Sequence, residues 1–567
     1  MTSPPIIFEP GFSSLNAAHE QICASFLGPR AENHKILSDK FADIVKDTLK
    51  ARKQFFPDDP VFIDEKILES PPFKEQVQRF NSYFEFLSGM LAKHCIPFFS
   101  PRYNGHMVTD PLLPATLGYL VGLLWNQNNV TPEASPLTSL VEYRVGQQIC
   151  RLLGYGYTKV CLPLSMDNAH PIGIGWGHIT CDGTVANLES MCVVTLSNGI
   201  VSLSRVARNL KYYPLSLQRA VKEGRLSFVA GTFETTLCTG IRKKIAACSP
   251  WELLNLTVDE ILDLPTRLVS EYGISTRFIE VAISPYLVGN TGKDVLEKYF
   301  NIKSPVQIIS IANHYSWPKS AAITGIGVDN LIRISVDQKA RMNIASLRAQ
   351  LQKCLEQEQG VYAVVTIMGT TEHGAVDPLS DVIQLRKEFK TKGLSFYVHA
   401  DAAWGGYFCA MLPEPPTPFP EGRGPLGNPQ DNVVLKQPLS RYTQDQLFSI
   451  RLTDSCTIDP HKAGFVPYPA GSLCYRDERL RFMVTMTAAY INTTADLDSV
   501  GTYGVEGSKP GAAATAVWLA HNSMGVHQKG YGSLLGEAMF TSAKLYANWV
   551  TMSHRDPTLI TPVAQLY

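Results

Sequence analysis

Lys462 closes the tetrapeptide Asp459-Pro-His-Lys, directly after the short apolar run Ser455-Cys-Thr-Ile458. A solvated lysine is protonated at neutral pH and a poor nucleophile. Partly buried beside a cofactor, it can shed that proton and form a Schiff base. The competing reading is a buried lysine that only completes a salt bridge. Asp401 offers matching chemistry in Tyr397-Val-His-Ala-Asp-Ala-Ala-Trp-Gly-Gly406. A buried carboxylate is costly without a partner. A protonated pyridine nitrogen is such a partner, and the small Ala402 and Ala403 leave room for a flat ring. The alternative is an aspartate capping the next helix.

Gly183 and Thr184 open a stretch with apolar residues at Val185, Leu188 and Met191, which is helical spacing. A glycine and a hydroxyl at a helix N-terminus leave free N–H groups at the positive end of the dipole, suited to a phosphate. Ordinary N-capping is the alternative. His314, in Ala312-Asn-His-Tyr-Ser-Trp-Pro-Lys-Ser320, carries an imidazole able to stack on a pyridine ring. The segment Gly369-Thr-Thr-Glu-His-Gly-Ala-Val-Asp377 supplies candidate hydroxyls, Thr371 among them.

These residues need a scaffold that brings loop ends together. From about 136 to 530, short β-branched runs alternate with helical stretches, the pattern of a mainly parallel sheet covered on both faces. Strands are predicted over 306–312, 361–368, 394–399 and 471–475, and helices over 346–357 and 380–390. Residues 1–135 read as a helical segment interrupted by prolines. The stretch 413–440 is dense in Pro and Gly and reads as a surface insertion. Residues about 485–505 are small and polar, and a loop of this kind can close over a site. A helix is predicted over 534–550.

A chain of 567 residues exceeds ordinary single-domain size, and 45% apolar content suffices for a large core. Its 51 basic residues equal its 51 acidic ones, so charge makes no case for nucleic acid or an anionic membrane surface. No signal peptide and no apolar run long enough to span a bilayer is visible. The 12 cysteines form no C-x-x-C pair, so neither a metal site nor a disulfide framework is indicated. The expectation is a soluble, cytoplasmic protein.

Phosphate site, stacking histidine, hydroxyl loop, aspartate and lysine occur in an order that resembles the pyridoxal-phosphate (PLP)-dependent group II amino-acid decarboxylases. The segments Trp125-Asn-Gln-Asn-Asn-Val130, Trp176-Gly-His-Ile, Asn187-Leu-Glu189, Trp251-Glu-Leu-Leu-Asn255, His314-Tyr-Ser-Trp317, Thr457-Ile-Asp-Pro-His-Lys462 and Gly507-Ser-Lys509 narrow the likeness to the microbial tyrosine decarboxylases. The resemblance implies an α/β fold of the aspartate-aminotransferase-like kind (PLP fold type I). It divides the chain into a dimer-wrapping helical segment at 1–135, a large PLP-binding domain at 136–530 and, at 531–567, the start of an incomplete C-terminal small domain.

It also implies roles. Lys462 holds PLP, Asp401 keeps the pyridine nitrogen protonated, His314 stacks on one ring face and Ala403 touches the other. Gly183 and Thr184 bind phosphate, Thr371 reaches the ring's oxygen substituents, and His461 binds phosphate, relays protons or serves structure. Tyr490, in Thr487-Ala-Ala-Tyr-Ile491, is the candidate proton donor to the substrate α-carbon. Ser508, with Lys509, completes a phosphate site across a dimer interface, unless Lys509 is a solvated loop lysine. His106 and Glu133 lie near the expected substrate entrance. The implied reaction is decarboxylation of an aromatic L-amino acid, L-tyrosine first, by a homodimer. A glutamate-type decarboxylase shares the whole cofactor site, an aminotransferase fits less well, and a non-catalytic PLP-binding or interaction protein is the alternative from another class.

Overall fold

The computed structural model describes residues 14–105, 107–156, 174–191, 206–413, 433–483, 503–556 and 558. Nine strands are numbered here in chain order: β1 Trp176–Thr180, β2 Glu234–Thr236, β3 Arg242–Lys244, β4 Val306–Ser310, β5 Leu331–Ile334, β6 Val361–Ile367, β7 Tyr397–Asp401, β8 Ser455–Ile458 and β9 Gly471–Tyr475. Seven form one sheet in the order β1-β9-β8-β7-β6-β4-β5, while β2 and β3 pair separately. The strands β5, β4, β6, β7 and β8 pair in parallel, and β9 runs antiparallel to both its neighbours. The α/β class with a mainly parallel sheet is therefore the one expected.

Alternation along each strand splits the apolar residues between two cores. Val398 and Ala400 of β7 pack into one core with Leu347, Leu351, Leu385 and Phe389 from the helices Ile344–Glu356 and Leu379–Thr391. Tyr397 of β7 and Leu473 of β9 face the other, with Leu210 and Leu217 of helix Val206–Lys222 and Leu264 of helix Val258–Tyr272. Covering on both faces explains why β6 is buried along its whole length.

The predicted 471–475 strand matches β9, while the 394–399 prediction is displaced to 397–401. The Ser395 N–H is diverted to the Asn255 side-chain oxygen at 3.0 Å, so the ladder starts later. The predicted helix at 534–550 extends over Ser533–Arg555. Much of the Pro/Gly-rich insertion, 414–432, lies outside the described residues, as does 484–502.

Helix Leu113–Trp125 packs tightly on helix Gly511–Met524. A Cβ on Gly118 would stand 2.6 Å from the Thr515 carbonyl, and one on Gly122 would stand 2.5 Å from Ala512 Cα. Helices His34–Phe55 and Pro71–His94 behave differently, and the latter has no buried residue. No described helix is long and apolar enough to cross a membrane.

Candidate active site

The parallel strands deliver their loops to one edge of the sheet. After β8 the chain turns through Asp459 to Lys462, whose N–H bonds the Asp459 carbonyl at 3.0 Å. That turn sets Lys462 Nζ 3.0 Å from Asp459 Oδ2, with Asp459 buried. Burial is the largest single influence on the lysine and pulls its pKa down. The charge and hydrogen bond of Asp459, with help from Asp401, outweigh it and hold Lys462 above the usual lysine value. Burial alone therefore does not deprotonate this lysine, and the ion pair keeps it charged. Of the two expected readings of Lys462 the salt bridge is present, and the same lysine lines a cavity.

Asp401 ends β7, buried, and is well supplied with donors. The Trp317 indole N–H donates to its Oδ2 at 2.7 Å and the Asn187 amide at 3.1 Å, while the Ala403 N–H reaches Oδ1 at 3.3 Å. Asn187 lies one helical turn after Gly183 on helix Gly183–Met191, which follows β1. Asp182 caps this helix, its Oδ1 accepting the Val185 N–H at 2.7 Å. Gly183 is required for close approach, since a Cβ there would stand 2.5 Å from Asp459 Oδ2.

His314 follows β4 at the start of helix Ser316–Ile323. Its Nδ1 lies 2.9 Å from Ser316 Oγ and accepts the Ser316 backbone N–H at 3.3 Å. Burial, its main influence, holds its pKa below the usual histidine value. His461 is buried, accepts the Ala470 N–H on Nδ1 at 3.3 Å, and stacks on Tyr468 at 4.2 Å between ring centres.

Lys462, Asp401, His314, His461, Gly183, Thr184, Thr371 and Ala403 all line one cavity of about 300 Å³. Ser508 is placed elsewhere. It is exposed, accepts a bond from Asn128 Nδ2 at 3.2 Å, and does not line the cavity. Lys509 is not a solvated loop lysine. It is buried in an ion pair with Glu142, which also accepts from the Ile179 N–H and the Asn129 amide. Glu133 is exposed before helix Pro136–Leu153, away from the cavity lining. His106 and Tyr490 lie outside the described residues.

Sequence reasoning passed over Asn187, Trp317, Asp459, Trp404, Tyr315 and Tyr468 as site residues. The helical turn from Gly183 to Asn187 was the available signal for the first. Trp317 touches Asp401 across 84 positions of chain, which no local pattern announces.

The cavity suits the cofactor that the resemblance implies. Two buried acceptors on its walls, Asn187 Oδ1 and Asp459 Oδ1, have no hydrogen-bond partner among the described residues. PLP's phosphate and phenolic oxygens offer them no donor, so the fit rests instead on Lys462, the Asp401 carboxylate and the helix N-terminal residues Gly183 and Thr184 lining the same cavity. Lys462 would hold PLP covalently, Asp401 would meet its ring nitrogen, and the N-terminus of the Gly183 helix would meet its phosphate. Among the described residues no cluster suits a metal ion.

Comparison with known proteins agrees in kind. The pyridoxal-dependent decarboxylase conserved domain matches residues 290–414. The L-tyrosine decarboxylase of Levilactobacillus brevis is 33% identical over 532 residues, covering 92% of this chain and 74% of that protein. That of Enterococcus faecalis is 32% identical over 536 residues, covering 92% and 75%. That of Enterococcus faecium is 30% identical over 538 residues, covering 94% and 77%.

Proposed function

The chain belongs to the pyridoxal-dependent amino-acid decarboxylases and is a PLP-dependent carboxy-lyase; within that family we propose that it converts an aromatic L-amino acid, L-tyrosine first, to its amine and CO2. PLP supplies an electron sink for the bond that breaks at the substrate α-carbon, and the protein positions and tunes it. The observation that carries the aromatic reading is the character of the cavity wall. Tyr315, Trp404, Tyr468 and Met107 line it, while among its described lining residues the sole lysine or arginine is Lys462. Aromatic and polarisable walls fit a flat apolar side chain. A glutamate-type substrate would need a second cation for its side-chain carboxylate.

In this reading the residues divide the work. Lys462 would be the residue that holds the cofactor. Asp401 would keep the ring nitrogen protonated, and its donors Trp317 and Asn187 keep the carboxylate aimed. His314 would cover one ring face, and Thr184 with the N-terminus of its helix would hold the phosphate. Tyr490 donates the proton that replaces the carboxylate, a contribution of about 10²–10⁴-fold for a positioned acid.

Assembly and location belong to the same proposal. The apolar, exposed faces of helices 34–55 and 71–94 support a homodimer in which they cover a second copy. The described cysteines are all unpaired, which suits the reducing cytoplasm.

The test is incubation with PLP and L-tyrosine beside a Lys462→Ala control. Tyramine and CO2 in equal amounts, lost in the control, are expected. Amine formed from glutamate instead would overturn the aromatic reading.

A further inference from the structure

The groups around His314 determine where its proton sits. A backbone N–H can only donate, so the Ser316 N–H at 3.3 Å makes His314 Nδ1 an acceptor. An imidazolium, or the tautomer protonated on Nδ1, would set one N–H against another. Ser316 Oγ accepts a hydrogen bond from Asn187 Nδ2 at 3.2 Å, which leaves its own O–H to donate to His314 Nδ1 at 2.9 Å. The Asn187 orientation follows from chemistry too. Its Nδ2 faces Asp401 Oδ2 at 3.1 Å, and the flipped amide would set oxygen against carboxylate.

From this chain of hydrogen bonds we propose that Asn187 and Ser316 are positioning residues that fix His314 as its neutral Nε2–H tautomer and tie its orientation to Asp401. The inference rests on the reading of this cavity as the PLP site. Its value there is electrostatic. Asp401 favours a cationic ring nitrogen, and a second cation stacked on the same ring would oppose it. A histidine locked neutral covers the ring face without that repulsion. Asn187 and Trp317 both donate to Asp401 Oδ2 and sit on separate helices, so the carboxylate is held by two elements.

The test uses the full chain with ring-¹⁵N-labelled histidine, and His314→Gln identifies the His314 signals. In the protein without PLP, His314 is expected as the Nε2–H tautomer through neutral pH. Ser316→Ala and Asn187→Leu should each give a mixture of tautomers and weaken PLP binding, read from the absorbance of the bound cofactor, about fivefold, the effect of losing one ordinary hydrogen bond. Ser316→Thr keeps a hydroxyl and should restore both. Wild type carrying the proton on Nδ1 would overturn the inference, as would Ser316→Ala and Asn187→Leu proteins with unchanged tautomer and PLP affinity. Should either variant fail to fold, the wild-type tautomer and the Ser316→Thr protein still decide the matter. Wild type that binds no PLP would overturn the cofactor reading, leaving the tautomer measurement to judge this inference separately.

Discussion

Helices 71–94 and 511–524 are both rich in apolar residues, yet their surroundings are opposite. The 511–524 helix buries Ala512, Ala513, Ala516, Val517 and Ala520 against the rest of its own chain. Along 71–94, Val77, Phe80, Phe84, Leu87 and Leu91 recur at spacings of three and four, and all are exposed, Phe80 at 62% and Phe84 at 61%. A stripe with helical period is built to be covered. Helix 511–524 has found its cover within the chain. Helix 71–94 has none among the described residues, which is why we propose that a second copy covers it. Apolar periodicity reports that a face will be buried and says nothing about by which chain.

The sharpest way to separate the two regions is Lys462→Ala. It should abolish amine formation and the Lys462-linked PLP absorbance while leaving the elution volume of the assembly unchanged. A change of assembly in this variant would join regions that the structure keeps apart. Next in size is Phe84→Asp with Leu87→Asp on the open stripe. Each buried apolar side chain is worth about 1.5–3 kcal/mol and the dimer loses two from each copy, so association should weaken by about 10⁴-fold or more. Elution should move to the monomer position with helical circular dichroism retained. A wild type already eluting as a monomer would break the comparison.

A covered residue should respond differently. Phe389→Ala, in the core beside β7, is expected to cost about 3–5 kcal/mol in denaturant unfolding, because the cavity left behind adds to the lost burial. The pH dependence of stability comes from the interior as well. Burial pushes His399 down to about 4, and its ring nitrogens lie against Ser455 Oγ at 2.7 Å and Thr457 Oγ1 at 3.3 Å. The unfolded chain takes up a proton there near pH 6.5 and the folded one only near 4. This contribution, on the order of 3 kcal/mol, is thus complete above pH 6.5 and lost as pH falls towards 4. Denaturant midpoints at pH 4.5 and 7 should differ less in His399→Gln than in wild type. An unchanged pH difference would remove His399 from the account. The smallest effect belongs to Phe80→Ala. Measured on the monomeric double variant, it should shift stability by no more than about 0.5 kcal/mol.

Much of the candidate site was legible in the sequence, because His314, Thr371, Asp401 and Lys462 each follow a short apolar run. Asp401 ends such a run, Lys462 follows another, and parallel strands carry their C-terminal loops to one edge. Gly183 was legible as the start of a helix. What could not be read were the partners. Asn187 reaches Asp401 across 214 positions, and Trp317 reaches it across 84. Lys509 looked like a loop residue because its partner, Glu142, sits 367 positions away on a helix that shows no chemistry of its own.

The amino-acid order by itself thus determined which residues could act, the α/β class that carries them and the edge where they gather, since these follow from local period and strand direction. The tertiary structure alone decided their charge states and aim. It set Asp459 against Lys462 and so kept the lysine protonated, and it placed Ser316 and Asn187 around His314. Protonation depends on distance and burial between groups far apart in the chain, and only packing supplies those.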